Sequence, residues 1–424
     1  MKYAMNLHGE SKEKYTVNDF TLRSLNTNAI DRANEFQKWM MQSRANNHEI
    51  YWNESFSGIS PQMTLINATK NESYPVISFI SNDYLGMSQR EETKAAGIEA
   101  IKKYGTGACA APIIGGYLDI HKELEGKIAK FTGQEDALIF SSGFGVNVGV
   151  LNALLGKEDL ALIDMCVHTS VLDGLRSTNI KRLKHNDPEY IEFVLKREVD
   201  NYKTKMVIID GAYSHDGDIA NLNEIYKICK EYGALLYMDD AHGIGVFGDT
   251  GKGVAEHYNM LGKIDIVTGT FSKSFGAVGG FVSCSKPLAD YLRYYANTTV
   301  FSASITPQSA ASILKALDLL AEKPDIRTKL WDNVSYLKNK LTKNGFDIKN
   351  TVSPIFPVMV RDPFKAKEVT RLLKEKGIYA IAIVYPAVTD KDARIRISLT
   401  ASHEFKHIDY LVDSLVEIRT TINF

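Results

Sequence analysis

Six short apolar runs recur through the middle of the chain, and their alternation with amphipathic segments constrains the fold more than any other feature. The runs are "ALIFS" (Ala137–Ser141), "LALID" (Leu160–Asp164), "MVIID" (Met206–Asp210), "ALLYMD" (Ala234–Asp239), "DIVTG", with a buried strand expected over Asp265–Thr268, and "GFVSC", with another over Phe281–Cys284. Between them lie helical patterns such as "LNEIYKICKEYG", where Ile225, Ile228 and Cys229 share one face and Gly233 stops the helix. Strand–helix alternation predicts a mostly parallel sheet with helices on both faces. Ligands of such sheets gather at the carboxyl ends of the strands.

A chain of 424 residues is too long for one simple core and predicts two or three packed domains. Residues 1–60 are polar and mixed, with a helical pattern over Ala29–Ser43, and read as an arm or lid. Residues 61–300 hold the strand–helix alternation. Residues 301–424 carry two long helical patterns, then strands "IFPVMV" and "RIRISLT" around the helix "KAKEVTRLLKEKG", and read as a smaller α+β domain. With 44% hydrophobic and 24% charged residues the composition is that of a soluble globular protein, and a formal net charge of −1 gives no electrostatic reason to expect nucleic acid as a partner. The four cysteines, Cys109, Cys166, Cys229 and Cys284, lack CxxC spacing, which argues against a zinc site or a disulfide framework and for a reducing cytoplasm. No signal-peptide pattern opens the sequence, and no apolar run approaches the ~18–20 residues needed to cross a bilayer. A peripheral membrane contact of the arm stays compatible with this.

The polar residues at the strand ends carry the chemistry. "ALLYMD" runs into "DDAHGIGVFG", which places Asp239 at a strand end and His242 three residues on, as ligand chemistry or as a cap and turn. "MVIID" runs into a turn with Ser214, His215 and Asp216, which alone reads as turn chemistry. After "ALIFS", Ser142, Gly143 and Phe144 precede a helical run, so their N–H groups would form an anion site or a plain N-cap. His168, alone, reads as structural. Between the last two strands a single cation, Lys273, stands among Gly269, Thr270, Ser272, Ser274, Gly276, Gly279 and Gly280. A surface turn would need no such hydroxyls, so an anionic or electrophilic partner is expected there. Together, an amine, a strand-end carboxylate and a phosphate-ready helix start match pyridoxal 5'-phosphate, which needs a Schiff-base amine, a carboxylate to keep its ring nitrogen protonated, and a phosphate cradle. The glycines would allow close backbone approach to that cofactor.

"SNDYLG", "YSHDGDIANL", "DDAHGIGVFGDTGKGV", "TGTFSKSFGAVGGF" and "RIRISLTASH", in this order, resemble the α-oxoamine synthases. These are fold-type-I pyridoxal phosphate transferases, α/β and aspartate aminotransferase-like, which join an amino acid to an acyl thioester with loss of carbon dioxide. The resemblance runs from "SNDYLG" to the end of the sequence. It implies that Lys273 is the Schiff-base lysine and proton carrier, that Asp239 partners the pyridine nitrogen, that His242 lies near the phenolic oxygen, and that His168 stacks on the ring. It further implies that the Gly143 and Phe144 amides hold the phosphate with Thr270, Ser272 and, from a partner protomer, Ser302. Ser214 would orient the cofactor, Arg396 would grip the substrate carboxylate, and Asn82 would line the pocket. Tyr84 and His403 match motif positions, with packing an equally open role for each. A homodimer with shared sites, and acyl-CoA or acyl carrier protein as donor, follow from the family.

Within the family the serine palmitoyltransferase branch is most similar, on "GTFSKS", "FSASITPQSAASILKALDLL" and "SPIFPV". That implies serine and a long acyl chain, as in sphingolipid synthesis. The alternatives are glycine or alanine acyltransferases, such as the aminoketobutyrate and 8-amino-7-oxononanoate enzymes, an aminotransferase, or a non-catalytic subunit. The last usually lacks the lysine that is present here. Two positions depart from the pattern. Ala111-Pro112 replaces a Ser-Arg pair, and His215 stands where methionine is usual. Drift is one reading. The other is a pocket altered for a serine-like amino acid with a different polar head, such as cysteate of sulfonolipid synthesis, whose sulfonate His215 would help to hold.

Overall fold

The computed structural model describes residues 17–20, 27–45, 51–67, 72–198 and 201–424. Of the predicted arm, residues 1–16, 21–26 and 46–50 lie outside the described residues, while its helix runs over Ala29–Ala45. Strands β1 (Gln62–Asn67) and β2 (Glu72–Ser78) form an antiparallel pair. The large sheet is built from β3 (Asp136–Phe140), β4 (Leu160–Asp164), β5 (Asn179–Leu183), β6 (Lys205–Asp210), β7 (Leu235–Asp239), β8 (Ile266–Thr270) and β9 (Gly280–Cys284). The chain ends with β10 (Ile355–Met359), β11 (Ile378–Tyr379), β12 (Ile381–Ile383), β13 (Arg394–Ser398) and the helix Phe405–Ile422.

The seven strands lie in the order β3-β9-β8-β7-β6-β4-β5. All neighbours from β8 to β5 are parallel, and β9 is antiparallel to both β3 and β8. Every expected apolar run is a strand of this sheet. Alternate residues face opposite sides: Leu162, Val207, Leu236 and Met238 join the larger core, while Ala161, Ile163, Met206, Ile208 and Tyr237 join a second one on the other face. Burial on both faces is why these strands read as unbroken apolar runs. The edge strand β5, "NIKRL", is mostly solvent-facing and carries no such signal.

β2 also pairs with β11 in parallel, so residues 62–78 are joined by sheet hydrogen bonds to the C-terminal part of the chain. In the antiparallel sheet β10-β13-β12, Ile395 and Ile397 face the core, while Arg394, Arg396 and Ser398 share the opposite face. That face meets the turn after β6. Gly217 is needed in this turn: its φ is +73°, and a Cβ there would lie 2.3 Å from the Ile355 carbonyl oxygen.

One half-buried ion cluster braces the same turn. His185 Nδ1 lies 3.0 Å from Asp164 Oδ1 and its Nε2 3.0 Å from Asp218 Oδ2. Although burial lowers the pKa of His185, these hydrogen bonds outweigh it and push the value up to about 12. Its unfolded value is roughly 6.5, so the stabilisation is full below that pH and is lost progressively as pH rises toward the folded value. His185→Gln is therefore expected to lower Tm by roughly 3–6 °C near pH 6, with the gap to the native chain narrowing by pH 10 in thermal melts.

Candidate active site

The parallel strands deliver their last residues to one edge. Asp210 at the end of β6 pairs in register with Asp239 at the end of β7, and β8 ends at Thr270 beside them. Lys273 follows in the loop between β8 and β9, within electrostatic reach of Asp239, Asp210, Arg396 and Asp240. Among the described residues its amine has neither a hydrogen-bond nor an ion-pair partner. Loss of hydration lowers its pKa to about 8 against the pull of Asp239 and Asp210. A substantial neutral fraction at neutral to mildly alkaline pH is what a lysine needs to attack a carbonyl.

Asp239 is buried and accepts hydrogen bonds from Asn147 Nδ2 at 2.6 Å and from the Ala241 amide at 3.1 Å. Burial and the neighbouring Asp239 push the Asp210 carboxyl well above the usual range. His168 caps the helix Thr169–Gly174, and its Nδ1 lies 2.7 Å from Ser170 Oγ. Burial lowers its pKa, so it is neutral at physiological pH.

The expected phosphate cradle is the helix start at Gly143, beside the end of β8. Ser142 caps the helix Gly143–Leu154 by accepting the Gly145 amide at 2.9 Å, and its carbonyl takes the Val146 amide. That leaves the Gly143 and Phe144 amides without a protein acceptor among the described residues, at a helix N-terminus. A Cβ on Gly143 would lie 2.9 Å from Thr270 Oγ1, so the space between helix start and β8 exists only because residue 143 is glycine. Thr270 donates to the Gly279 carbonyl at 3.0 Å, and Ser272 Oγ lies 2.8 Å from Thr270 Oγ1. Thr270 thus shapes the turn, and exposed Ser272 presents its hydroxyl at the rim. Two glycines of this loop serve the protein instead of a ligand: a Cβ on Gly276 would lie 2.3 Å from the Ser88 amide, and one on Gly280 2.8 Å from Gly143 Cα. Ser302 Oγ lies 3.3 Å from Ser141 Oγ of the same chain, next to the cradle.

Arg396 stands within electrostatic reach of Lys273. Its Nε donates to the Ser214 carbonyl at 2.8 Å, Nη1 to Ser398 Oγ at 2.9 Å and Nη2 to Asn82 Oδ1 at 3.1 Å. This anchors the guanidinium and leaves N–H groups for a carboxylate. Tyr84 is fully buried, and burial pushes its pKa up to about 12; its hydroxyl donates to Asn82 Oδ1 at 3.3 Å and lies 2.7 Å from His242 Nδ1. Burial and then Lys273 and Arg396 hold His242 well below its ordinary value, in the neutral form. His215 is neutral for the same reasons, burial first and Arg396 and Arg394 next, with a pKa near 4. Its Nδ1 is buried without a hydrogen-bond partner.

The remaining sequence candidates sit farther out. His403 is a packing residue: Nδ1 accepts the Thr400 amide at 3.0 Å, Nε2 lies 2.9 Å from the Ser78 carbonyl, and the ring stacks on Phe79. Ala111-Pro112 lies beside the Ser302 segment, since Ser304 donates to the Ala110 carbonyl at 3.1 Å. Pro112 also lines a cleft of about 240 Å³ with Ile113, Tyr117, Tyr294 and Val300. Sequence reasoning missed Asn147 and Asp210. The available signals were an amide four residues after Gly143 in an otherwise apolar helix, and the acidic end of "MVIID".

Residues 74–415 match the family described as aminotransferase class I and II. The 8-amino-7-oxononanoate synthase of Thermoanaerobacter pseudethanolicus is 41% identical over 350 residues, which is 82% of this chain and 89% of the relative. The serine palmitoyltransferase of Sphingobacterium spiritivorum is 41% identical over 345 residues, 81% of this chain and 86% of the relative. The chain belongs to the α-oxoamine synthase family. As an α-oxoamine synthase it is a pyridoxal phosphate-dependent acyltransferase of the fold-type-I class. The solved serine palmitoyltransferase from S. paucimobilis with bound PLP and myriocin superposes with a TM-score of 0.87 at 28% identity, covering 93% of this chain and 99% of that one. The unpartnered amine, the free helix-start amides and the glycine-lined cradle fit this cofactor.

Proposed function

We propose that this synthase condenses a small polar L-amino acid, serine or a serine-like one such as cysteate, with a long-chain acyl thioester. A bond forms between the amino acid's Cα and the acyl carbon, the C–S bond breaks to release thiol, and the carboxylate leaves as carbon dioxide. The product is a 3-oxo long-chain base of the sphingolipid or sulfonolipid kind. Bound pyridoxal phosphate supplies an electron sink for charge developing at the Cα. Lys273 would anchor that group covalently, and its amine would serve to move the α-proton. Asp239 would hold the ring nitrogen, His168 would cover the ring face, and Ser214 and His242 would fix its position. Gly143, Phe144 and Ser272 would take the phosphate, with Thr270 shaping the turn beside them. Arg396, with Asn82 beside it, binds the substrate carboxylate.

The observation that carries the polar side chain is His215. An uncharged imidazole beside Arg396, with a buried and unpaired Nδ1, lacks a hydrogen-bond partner. A hydroxyl or sulfonate of the substrate would satisfy it, and the side chain of glycine or alanine would not. The equal similarity to an 8-amino-7-oxononanoate synthase keeps alanine as the second reading. Steady-state rates with serine, cysteate, alanine and glycine against one long-chain acyl-CoA decide between them. Serine or cysteate is expected to exceed alanine in kcat/KM by about tenfold or more, and a preference for alanine or glycine contradicts the reading.

The same proposal includes a homodimer. Its support is the apolar surface near the cradle, where Phe301 is 83% and Ile114 76% exposed beside the cleft lined by Tyr294 and Val300. Sedimentation is expected to give twice the 47.3 kDa chain mass. A monomer that still turns over would contradict shared sites.

A further inference from the structure

Asn147 is almost fully buried, at 2% exposure, one turn into the helix that starts the phosphate cradle. Its amide has two donor hydrogens and two acceptor lone pairs, and the structure gives it four partners. Nδ2 lies 2.6 Å from Asp239 Oδ2 and 2.8 Å from Ser170 Oγ. Oδ1 lies 2.6 Å from the Tyr237 hydroxyl and 3.2 Å from Thr268 Oγ1. The orientation is fixed by chemistry: an ionised carboxylate only accepts, so Nδ2 must face Asp239, and the two hydroxyls must donate to Oδ1.

This polarity propagates. Ser170 Oγ accepts from Asn147, so its own proton is free to go to His168 Nδ1 at 2.7 Å. The Ser170 amide points at the same nitrogen from 3.3 Å. A ring nitrogen facing two donors carries no proton, so the neutral imidazole is protonated at Nε2. One amide therefore links two side chains on different strand-end loops.

We propose that Asn147 is a positioning residue that holds Asp239 and His168 in one hydrogen-bond chain, presenting Asp239 as an ionised acceptor and His168 as an Nε2–H donor. Asn147 holds one carboxylate oxygen of Asp239 and the Ala241 amide the other, which fixes the plane of the group next to Asp210 in the register. An asparagine that only filled a polar gap between helix and sheet would affect melting but not the cofactor's electrostatics.

The proposal rests on the assignment of Asp239 and His168 as cofactor contacts, so the test includes Asp239→Asn. Apoenzymes of the native chain, Asn147→Asp, Ser170→Ala and Asp239→Asn are titrated with pyridoxal phosphate. The pH midpoint of the bound cofactor's visible absorbance is then recorded for each. Asn147→Asp, nearly isosteric, is expected to weaken cofactor binding by about tenfold or more and to move the midpoint, because it sets a second acid against Asp239. Ser170→Ala, which cuts only the His168 arm, is expected to move the midpoint while affinity changes less than about threefold. If Asn147→Asp binds and titrates like the native chain while Asp239→Asn is weakened, the proposal is overturned. If Asp239→Asn itself binds normally, the assignment of Asp239 fails instead. Should Asn147→Asp not fold, an unmoved midpoint in Ser170→Ala overturns the proposal alone.

Discussion

Lys273→Ala is expected to abolish the covalently held chromophore and to lower kcat/KM by about 10³–10⁴-fold or more, since one amine serves as both anchor and proton carrier. Absorbance spectra before and after borohydride reduction, with steady-state rates, read both effects. The native chain should keep a reduced, covalently attached cofactor after denaturation and the variant none. The lowered pKa of Lys273, about 8, adds a sign to this experiment. Loading of the native apoenzyme should speed up as pH rises through that value, because the neutral amine is the attacking form. A variant that retains activity would remove the basis for placing the chemistry at this loop.

Arg396→Ala has the next largest expected effect. Three of its N–H groups are anchored to Ser214, Ser398 and Asn82, so the guanidinium is held in place before substrate arrives. Removing it should raise KM for the amino acid by roughly 10²-fold. The KM for the acyl thioester should change far less, because no part of that interaction is assigned to this side chain. Arg396→Lys should recover only part of the loss, since an ammonium keeps the charge and lacks the planar fork. Equal loss for both substrates would mean that Arg396 supports the fold instead of binding the carboxylate.

The sheet was legible because its strands are buried on both faces, which leaves continuous apolar runs at Leu160–Asp164, Met206–Asp210 and Leu235–Asp239. β5 was not, because an edge strand with exposed Asn179, Ile180 and Arg182 has no apolar run to recognise. The pairing of β2 with the two-residue strand β11 joins residues some three hundred positions apart, and nothing local encodes such a partner. In the site, Asp239 stood out as a carboxylate at the end of an apolar run, and Lys273 as the single cation in a loop of glycines and hydroxyls. Asn147 did not: an amide in a helix is unremarkable until the fold sets it 2.6 Å from a buried carboxylate. Asp210 was visible only as a strand end, and its weight comes from the register that lays it beside Asp239. Motif position alone was ambiguous for His403, and its two backbone hydrogen bonds resolve it as packing.

The central claim is a decarboxylative acyl transfer at the site built from Lys273, Asp239 and Arg396. Its most direct test is the stoichiometry of carbon dioxide and free thiol released from carboxyl-labelled serine or cysteate with a long-chain acyl-CoA. Equal release of both, dependent on the amino acid, is the predicted result. Formation of a 2-oxo acid without thiol, as an aminotransferase would give, contradicts it.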